Sequence, residues 1–157
     1  MTDLQMVQRN GLNILIVQEV PSKEVQMAAV KHTGRVIRYI NNHDRDVQLA
    51  AVDQDKYAIK YITNPDKEVL AMVPDGLDNT KYHNGLDKTE LLHRVHMYGF
   101  NIRYITDPDE DIQMAAVKHH INNFMYIDEP HPNVLEYVLL ALMQERERIK
   151  SFDHSKK

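Results

Sequence analysis

The chain has 157 residues, of which 43% are hydrophobic and 27% are charged, and its formal net charge is −4. The absence of cysteine excludes disulfides, thiolate metal ligands and cysteine nucleophiles, and the acidic balance disfavours a general nucleic-acid binder. No stretch approaches the roughly 18 apolar residues of a membrane span, and the N-terminus lacks the pattern of a secretory signal. We therefore expect a cytoplasmic protein that does not enter a membrane.

One phrase of the sequence returns at a fixed period. "VQMAAVKH" at 25–32 reappears as "VQLAAVD" at 47–53 and as "IQMAAVKHH" at 112–120. A valine stands near the end of each unit's phrase, and a tyrosine follows nine residues later. A period near 22 residues indicates an array of short helices, which cannot persist alone and must cover one another. The matched pairs are Val30 with Tyr39, Val52 with Tyr61, Val73 with Tyr82, Val95 with Tyr104, and Val117 with Tyr126.

Each unit is predicted to contain two helices. In the second unit, Ser22 caps a short helix whose apolar residues recur at i, i+3 and i+4. A shorter helix follows at 35–40, and Gly34 lies at the turn between them, where positive φ is often needed. A glutamine recurs in the first helices and is predicted to hydrogen-bond between units or to loop backbone. Asp44, Asp87 and Asp109 open equivalent helices, and the recurring glutamines are Gln26, Gln48 and Gln113.

These patterns predict an all-α protein. We expect a right-handed-type α-solenoid of about six to seven 22-residue helical hairpin repeats, with a longer C-terminal helix as a cap. It would form a single repeat domain over 1–152, followed by a disordered tail at 153–157. The predicted units lie near 2–20, 22–42, 44–64, 66–86, 87–107 and 109–129, and the terminal helix lies at 131–150.

The stretch "EVQMAAVKHTGRVIRYI" at 24–40 resembles a family of short helical repeats with an "AAVK…G" pattern, classed as a domain of unknown function. The resemblance is clearest over 22–128. It implies a helical array. Because such repeats occur largely in proteins of phages, large viruses and protists, it also implies a viral origin and hence a host cytoplasm. It brings no catalytic residues to this chain.

The repeat breaks in its fourth and fifth units. The stretch 73–87 is rich in glycine and polar residues where a second helix is expected, so it is either a functional loop or a kink. In the fifth unit His93 and Arg94 replace the alanine pair of the other units. His83, His93 and His96 could share a metal ion, but no established ligand motif surrounds them, and we predict no metal site.

The two ends of the array carry apolar surface. The segment Leu12–Val17 is apolar on every side, which suggests that the C-terminal segment or another chain covers it. The last helix has an apolar stripe, with Tyr137 and Leu140 on its flank. It is either a cap or an interface, so a homodimer through Leu12–Val17 or through the C-terminal helix is an alternative.

A basic residue precedes the repeated tyrosine in four units. Stacked units would align these pairs, which we call the basic–tyrosine row. Assuming a regular α-helix, Arg38 points outward and Tyr39 lies at the boundary of the buried face. Such a row suits an acidic patch on a protein partner, and nucleic acid is the alternative target. The candidate partner-binding residues are Arg38, Tyr39, Lys60, Tyr61, Lys81, Tyr82, His93, Arg94, Arg103 and Tyr104.

The sequence contains no constellation typical of an enzyme. It has no glycine-rich phosphate loop and no nucleophile elbow, and its acidic residues recur at helix starts, where the helix dipole explains them. We therefore predict no catalysis and no cofactor. The expected function is binding of a protein, and by the viral character of the resemblance it is a phage protein that inhibits a host enzyme or defence factor.

Overall fold

The computed structural model describes residues 1–73 and 86–154, with side chains through residue 152. Within these residues every regular element is a helix, which confirms the all-α prediction. None of the described helices has the length and apolar character needed to cross a membrane. The α-helices are α1 (Asp3–Arg9), α2 (Lys23–His32), α3 (Arg45–Gln54), α4 (Lys67–Ala71), α5 (Lys88–Met97), α6 (Glu110–His119) and α7 (Pro132–His154).

The second helix of each described pair is a six-residue 3₁₀-helix. Its last hydrogen bond joins residues three apart: the main-chain nitrogen of Ile40 donates to the main-chain oxygen of Ile37 at 3.0 Å. With three residues per turn, Arg38 and Tyr39 lie about 120° on either side of the buried face of Ile40. Both are half-buried, so the outward direction predicted for Arg38 on a regular α-helix does not hold for this 3₁₀-helix. The 3₁₀-helices are Gly11–Ile16, Gly34–Tyr39, Lys56–Tyr61, Gly99–Tyr104 and Ile121–Tyr126.

Side-chain caps set the start of the repeated α-helices. The Asp44 carboxylate accepts from the Val47 nitrogen at 3.1 Å, and the Asp109 carboxylate accepts from the Ile112 nitrogen at 3.1 Å. Each cap satisfies a backbone donor that the first helical turn leaves open. The predicted caps at Ser22, Asp44, Asp87 and Asp109 are confirmed.

The turns that lead into these helices use a left-handed residue. Asn42, Asn64 and Asp107 have φ of 58°, 55° and 46°. Asparagine and aspartate tolerate this conformation better than other residues with a side chain. The prediction of a positive φ at Gly34 is wrong.

Gly34 is needed for close approach of the backbone. A Cβ atom there would lie 2.3 Å from the main-chain oxygen of Ala51, in the next repeat. The Gly34 nitrogen also donates to Oε1 of Gln54 at 2.6 Å. Gly11 stands in the same relation to Ala29, where a Cβ would lie 2.7 Å from the main-chain oxygen. A side chain at either position would force adjacent repeats apart.

The chain divides into two compact units, one of 1–77 with 142–157 and the other of 78–141. In the first, α1 packs on α2, α2 on α3 and α3 on α4, while consecutive 3₁₀-helices also touch. In the second, α5 packs on α6, and their 3₁₀-helices touch in the same way. In both, the second alanine of the repeated pair is fully buried: Ala29, Ala51 and Ala116.

The fourth repeat and the C-terminal helix differ from the expected pattern in detail. α4 has only five residues, and most of the predicted break, 74–85, lies outside the described residues. α7 runs to His154, four residues past the predicted terminal helix and into the predicted disordered tail; residues 155–157 lie outside the described residues. Tyr137 and Leu140 are exposed on its flank, as predicted.

The apolar segment Leu12–Val17 is covered in part from within the chain. Leu12 and Ile14 are buried, and Leu15, Ile16 and Val17 are half-buried. From the end of α7, Arg146 donates to the main-chain oxygen of Ile16 at 3.2 Å and lies 3.9 Å from the carboxylate of Asp3. The C-terminal segment therefore contacts the first repeat, which was one of the two predicted ways of covering it.

Candidate partner-binding site

The basic–tyrosine row is built from stacked rings and guanidinium groups. The Arg38 guanidinium lies over the ring of its neighbour Tyr39, 5.4 Å from the centroid, and over the ring of Tyr61 in the next repeat at 4.4 Å. A cation over an aromatic face within about 6 Å is attracted by the ring quadrupole. Arg38 therefore links two consecutive repeats as well as facing solvent in part.

The second compact unit, 78–141, repeats this arrangement. The Arg103 guanidinium lies 5.1 Å from the ring centroid of Tyr104 and 5.3 Å from that of Tyr126, one repeat further on. Arg103 and both tyrosines are half-buried. The sequence pairs each basic residue with the tyrosine that follows it, but the structure shows that the tyrosine 23 residues later is an equal partner.

The row is not uniform. Lys60 is exposed, and its Nζ lies 5.7 Å from the ring centroid of Tyr57 on its own 3₁₀-helix. Lys81 and Tyr82 lie outside the described residues. The described row therefore consists of one arginine–tyrosine stack in each compact unit, together with Lys60.

His93 and Arg94, the remaining candidate residues, lie on α5. His93 is exposed, and Arg94 is half-exposed with its Nε 3.0 Å from Oε1 of Glu90, one turn earlier. Nδ1 of His96 lies 2.8 Å from the main-chain oxygen of Leu92. His83 lies outside the described residues, and among the described ones no group of three or more histidine or carboxylate side chains could hold a metal ion. The larger side chains at the alanine positions are thus turned toward solvent.

The structure adds a ladder of ion pairs that the sequence analysis missed. The first residue of α2, Lys23, binds the carboxylate of Asp44 at 2.8 Å and that of Asp46 at 2.5 Å in the next repeat. The first residue of α5, Lys88, binds Asp109 at 2.9 Å and Asp111 at 2.5 Å. Arg45 makes the same contacts with Asp66 and Glu68. Aligning the repeats would have revealed this signal, because a cation stands at the same position in the second to fifth repeats.

These pairs shift the protonation of the carboxylates. Hydrogen bonding to Lys88 lowers the pKa of Asp109, and hydrogen bonding to Lys23 lowers the pKa of Asp44. Hydrogen bonds to Asp111 and to Asp109 raise the pKa of Lys88. The acidic residues at the helix starts therefore serve neighbouring repeats.

The recurring glutamines join the repeats through the backbone. Nε2 of Gln113 donates to the main-chain oxygens of Pro108 at 2.7 Å and Glu129 at 3.1 Å, and its Oε1 accepts from the His131 nitrogen at 2.8 Å. Gln48 accepts from the Asp66 nitrogen at 3.2 Å, the equivalent contact three periods earlier in the sequence. The prediction that these glutamines bond to loop backbone and between units is confirmed.

Arg35 is a buried cation that the sequence analysis did not single out. Its Nε lies 2.7 Å from Oδ2 of Asp55 in the next repeat, with side chains 9% and 25% exposed. Its guanidinium also lies over the ring of Tyr57 at 5.1 Å. Oδ1 of Asp55 meanwhile caps the following 3₁₀-helix by accepting from the Tyr57 nitrogen at 2.9 Å.

Part of the chain matches a known protein family. The profile of a family described as a domain of unknown function (DUF4116) matches residues 22–65, which hold two consecutive repeats and the Arg38–Tyr61 stack. No curated protein and no solved structure matches the chain. Over residues 22–65, the chain is similar to this family of unknown function.

Proposed function

We propose that the chain is a non-enzymatic α-solenoid that binds another protein. In the proposal, about six to seven 22-residue hairpins stack in right-handed fashion, and the C-terminal helix caps them. Support comes from the recurrence of the same contacts between consecutive repeats inside each compact unit: cation against carboxylate, and arginine between tyrosines. In the first compact unit, the contact of glycine against carbonyl recurs as well. Repeats that depend on nearest-neighbour contacts are typical of solenoids.

The observation that carries the binding role is the stacked state of Arg38 and Arg103. Each guanidinium is held against two rings and remains half-exposed. A held arginine loses less side-chain entropy when it binds a carboxylate than a free one does. Tyrosine and arginine are also the residue types that contribute most at protein interfaces. The row therefore suits a partner with an acidic patch.

The non-enzymatic part of the proposal is supported by how the titratable groups are used. In the described residues, the carboxylates Asp44, Asp66 and Asp109 cap helices and bind cations of the preceding repeat. Groups that recur with the repeat serve its architecture. Inhibition of a host enzyme, which the resemblance to viral repeat proteins suggests, belongs to the same proposal.

Nucleic acid is the second candidate for the row, because a cation and an aromatic ring recur together in consecutive repeats. The stacking weakens this candidate. The ring of Tyr61 is already covered on one face by Arg38, so it has less free surface for a base. Electrostatic binding to phosphates would also fall steeply with salt.

The experiment is capture by the immobilised full chain from lysate, with and without nuclease, followed by reconstitution with the purified captured protein. Calorimetry then compares the wild type with Arg38→Ala and Arg103→Ala, and with Lys31→Ala as a control outside the row. The proposal predicts a nuclease-resistant complex that each arginine substitution weakens about tenfold or more. A ligand that nuclease destroys, or row variants that bind like the wild type, would contradict it.

A further inference from the structure

Three neighbouring side chains of the second compact unit form an exposed apolar patch. Met97, Tyr98 and Phe100 are 54%, 57% and 48% exposed, and they end α5 and begin the following 3₁₀-helix. The rings of Tyr98 and Phe100 touch, with centroids 6.0 Å apart and planes tilted by 44°. We call these three residues the 97–100 patch.

The repeat itself does not require this patch. At the position equivalent to Phe100, the second repeat has Arg35 and the third repeat has Tyr57. These two side chains pack on each other across the two repeats. At the position of Tyr98 the same units have Thr33 and Asp55. Only the fifth unit places large apolar side chains at both positions among the described repeats, and it leaves them open to solvent.

The chain on either side of the patch has more basic than acidic residues. The segments 91–106 and 112–127 contain no aspartate or glutamate and hold Arg103 and Lys118, together with Arg94, which is paired with Glu90. The backbone between the two rings lies against the end of α6, since a Cβ at Gly99 would come within 2.9 Å of the Cβ of His119. Lys118, His119 and His120 are exposed there.

We propose that the 97–100 patch is a docking surface for an acidic peptide segment of a partner protein, anchored by one large apolar side chain. Aromatic residues and methionine are enriched where protein interfaces are fully buried. The exposed ammonium of Lys118 and the absence of carboxylates from these two segments complement an acidic segment. This inference rests on the proposed protein-binding role, but it uses residues other than the basic–tyrosine row.

The area and ring geometry select the peptide over other occupants. Three half-exposed side chains offer roughly 300 Å², whereas a stable dimer of folded chains needs about 800 Å² from each partner. Single-stranded nucleic acid favours ring faces on which successive parallel bases can stack. The tilt of 44° between Tyr98 and Phe100 does not provide that for adjacent bases.

The test is fluorescence anisotropy with the full chain and three kinds of labelled probe. The first kind is a set of glutamate-rich peptides of about a dozen residues, each with one phenylalanine, leucine or tryptophan. The second is a peptide of equal charge without an apolar residue, and the third is an oligothymidylate of similar length. We expect binding of at least one anchored peptide, and binding at least about tenfold weaker for the other two probes.

Variants place the binding on the patch. Phe100→Ala and Tyr98→Ala should each weaken the anchored peptide about tenfold, and Lys118→Glu should weaken it by reversing a charge. Leu140→Ala, another exposed apolar site, should leave the affinity unchanged. Thermal unfolding of each variant shows whether the fold is retained.

The inference is overturned if no anchored peptide binds more tightly than about 1 mM, if Phe100→Ala binds like the wild type, or if the oligothymidylate binds best. Its failure can be told from that of the proposed function. If no peptide binds but the protein complex still forms and depends on Arg38, only the docking role of the 97–100 patch is refuted. If nuclease destroys the captured ligand but the peptide still binds at Phe100, only the proposed role of the basic–tyrosine row is refuted.

Discussion

The buried pair of Arg35 and Asp55 allows the sharpest test of how one repeat holds the next. Asp55→Ala removes the carboxylate 2.7 Å from Nε of Arg35 and also removes the cap of the following 3₁₀-helix. Loss of one partner of a fully buried pair costs about 3–5 kcal/mol, and Asp55 is 25% exposed, so we discount this to about 2–3 kcal/mol. The lost cap adds about 1 kcal/mol.

We therefore expect Asp55→Ala to lower the free energy of unfolding by about 3–4 kcal/mol. Asp55→Asn keeps an oxygen at the cap and should lose only about 2–3 kcal/mol. Arg35→Met should cost less than Asp55→Ala, because the remaining carboxylate is the more exposed partner. The double variant should then lose less than the sum of the single losses, by about 1–3 kcal/mol.

The assay is urea denaturation followed by far-ultraviolet circular dichroism, with Asp53→Ala as the matched control. Asp53 is an exposed carboxylate two residues earlier on α3, and its loss should change stability by less than about 0.5 kcal/mol. Additive losses in the double variant, or a cost of Asp55→Ala no larger than that of the control, would refute the reasoning. The repeats would then be held together without this pair.

Three further predictions concern other contacts between repeats. Gly34→Ala should destabilise the fold by about 1–3 kcal/mol in urea denaturation, since its Cβ would meet the Ala51 oxygen at 2.3 Å; wild-type stability would contradict the close-approach argument. Gln113→Leu should cost about 1–3 kcal/mol, and Gln113→Glu should cost more at neutral pH than at pH 4, because a carboxylate would face two main-chain oxygens; equal costs at both pH values would argue against that geometry. For Lys88→Met, the direction of the pH dependence follows from the lowered pKa of Asp109 in the folded state. The ion pair with Lys88 stabilises the fold at pH values above the ordinary carboxyl pKa of about 4. This stabilisation is lost as the pH falls through the lower pKa of the folded state. The wild type should exceed Lys88→Met near pH 6 in low salt and match it near pH 2; a difference that persists at pH 2 would contradict this.

Much of the local structure could be predicted because a repeat supplies several examples of each signal. The caps Asp44 and Asp109, the buried second alanine of each pair and the bonding of Gln113 all follow from residue type and position. The 3₁₀ conformation was harder to predict. A six-residue segment with two isoleucines three apart fits a short α-helix as well, and the choice between them decides where Arg38 points.

Contacts between repeats could be predicted less well, because the period alone does not say which side chains meet. The reach of Arg38 to Tyr61 depends on a 3₁₀ turn and on the rotation between units. A positive φ was predicted at Gly34, whereas glycine is needed there because the main-chain oxygen of Ala51, 17 residues away in sequence, approaches closely. The 97–100 patch was overlooked because a tyrosine and a phenylalanine in an apolar-looking stretch read as core until their exposure is known.

The proposed solenoid and its binding surface require that successive repeats lie side by side in register. The chain lacks cysteine, so spin labels can be attached at chosen positions, and Glu19, Asn41 and Thr63 are exposed, equivalent residues 22 apart. Electron paramagnetic resonance on the doubly labelled pairs should give a separation of about 10 Å between labels on adjacent units and about 20 Å between positions 19 and 63, within the spread of the label arms. A separation between positions 19 and 63 equal to or shorter than that between adjacent positions would contradict the stacked array and the surface built on it.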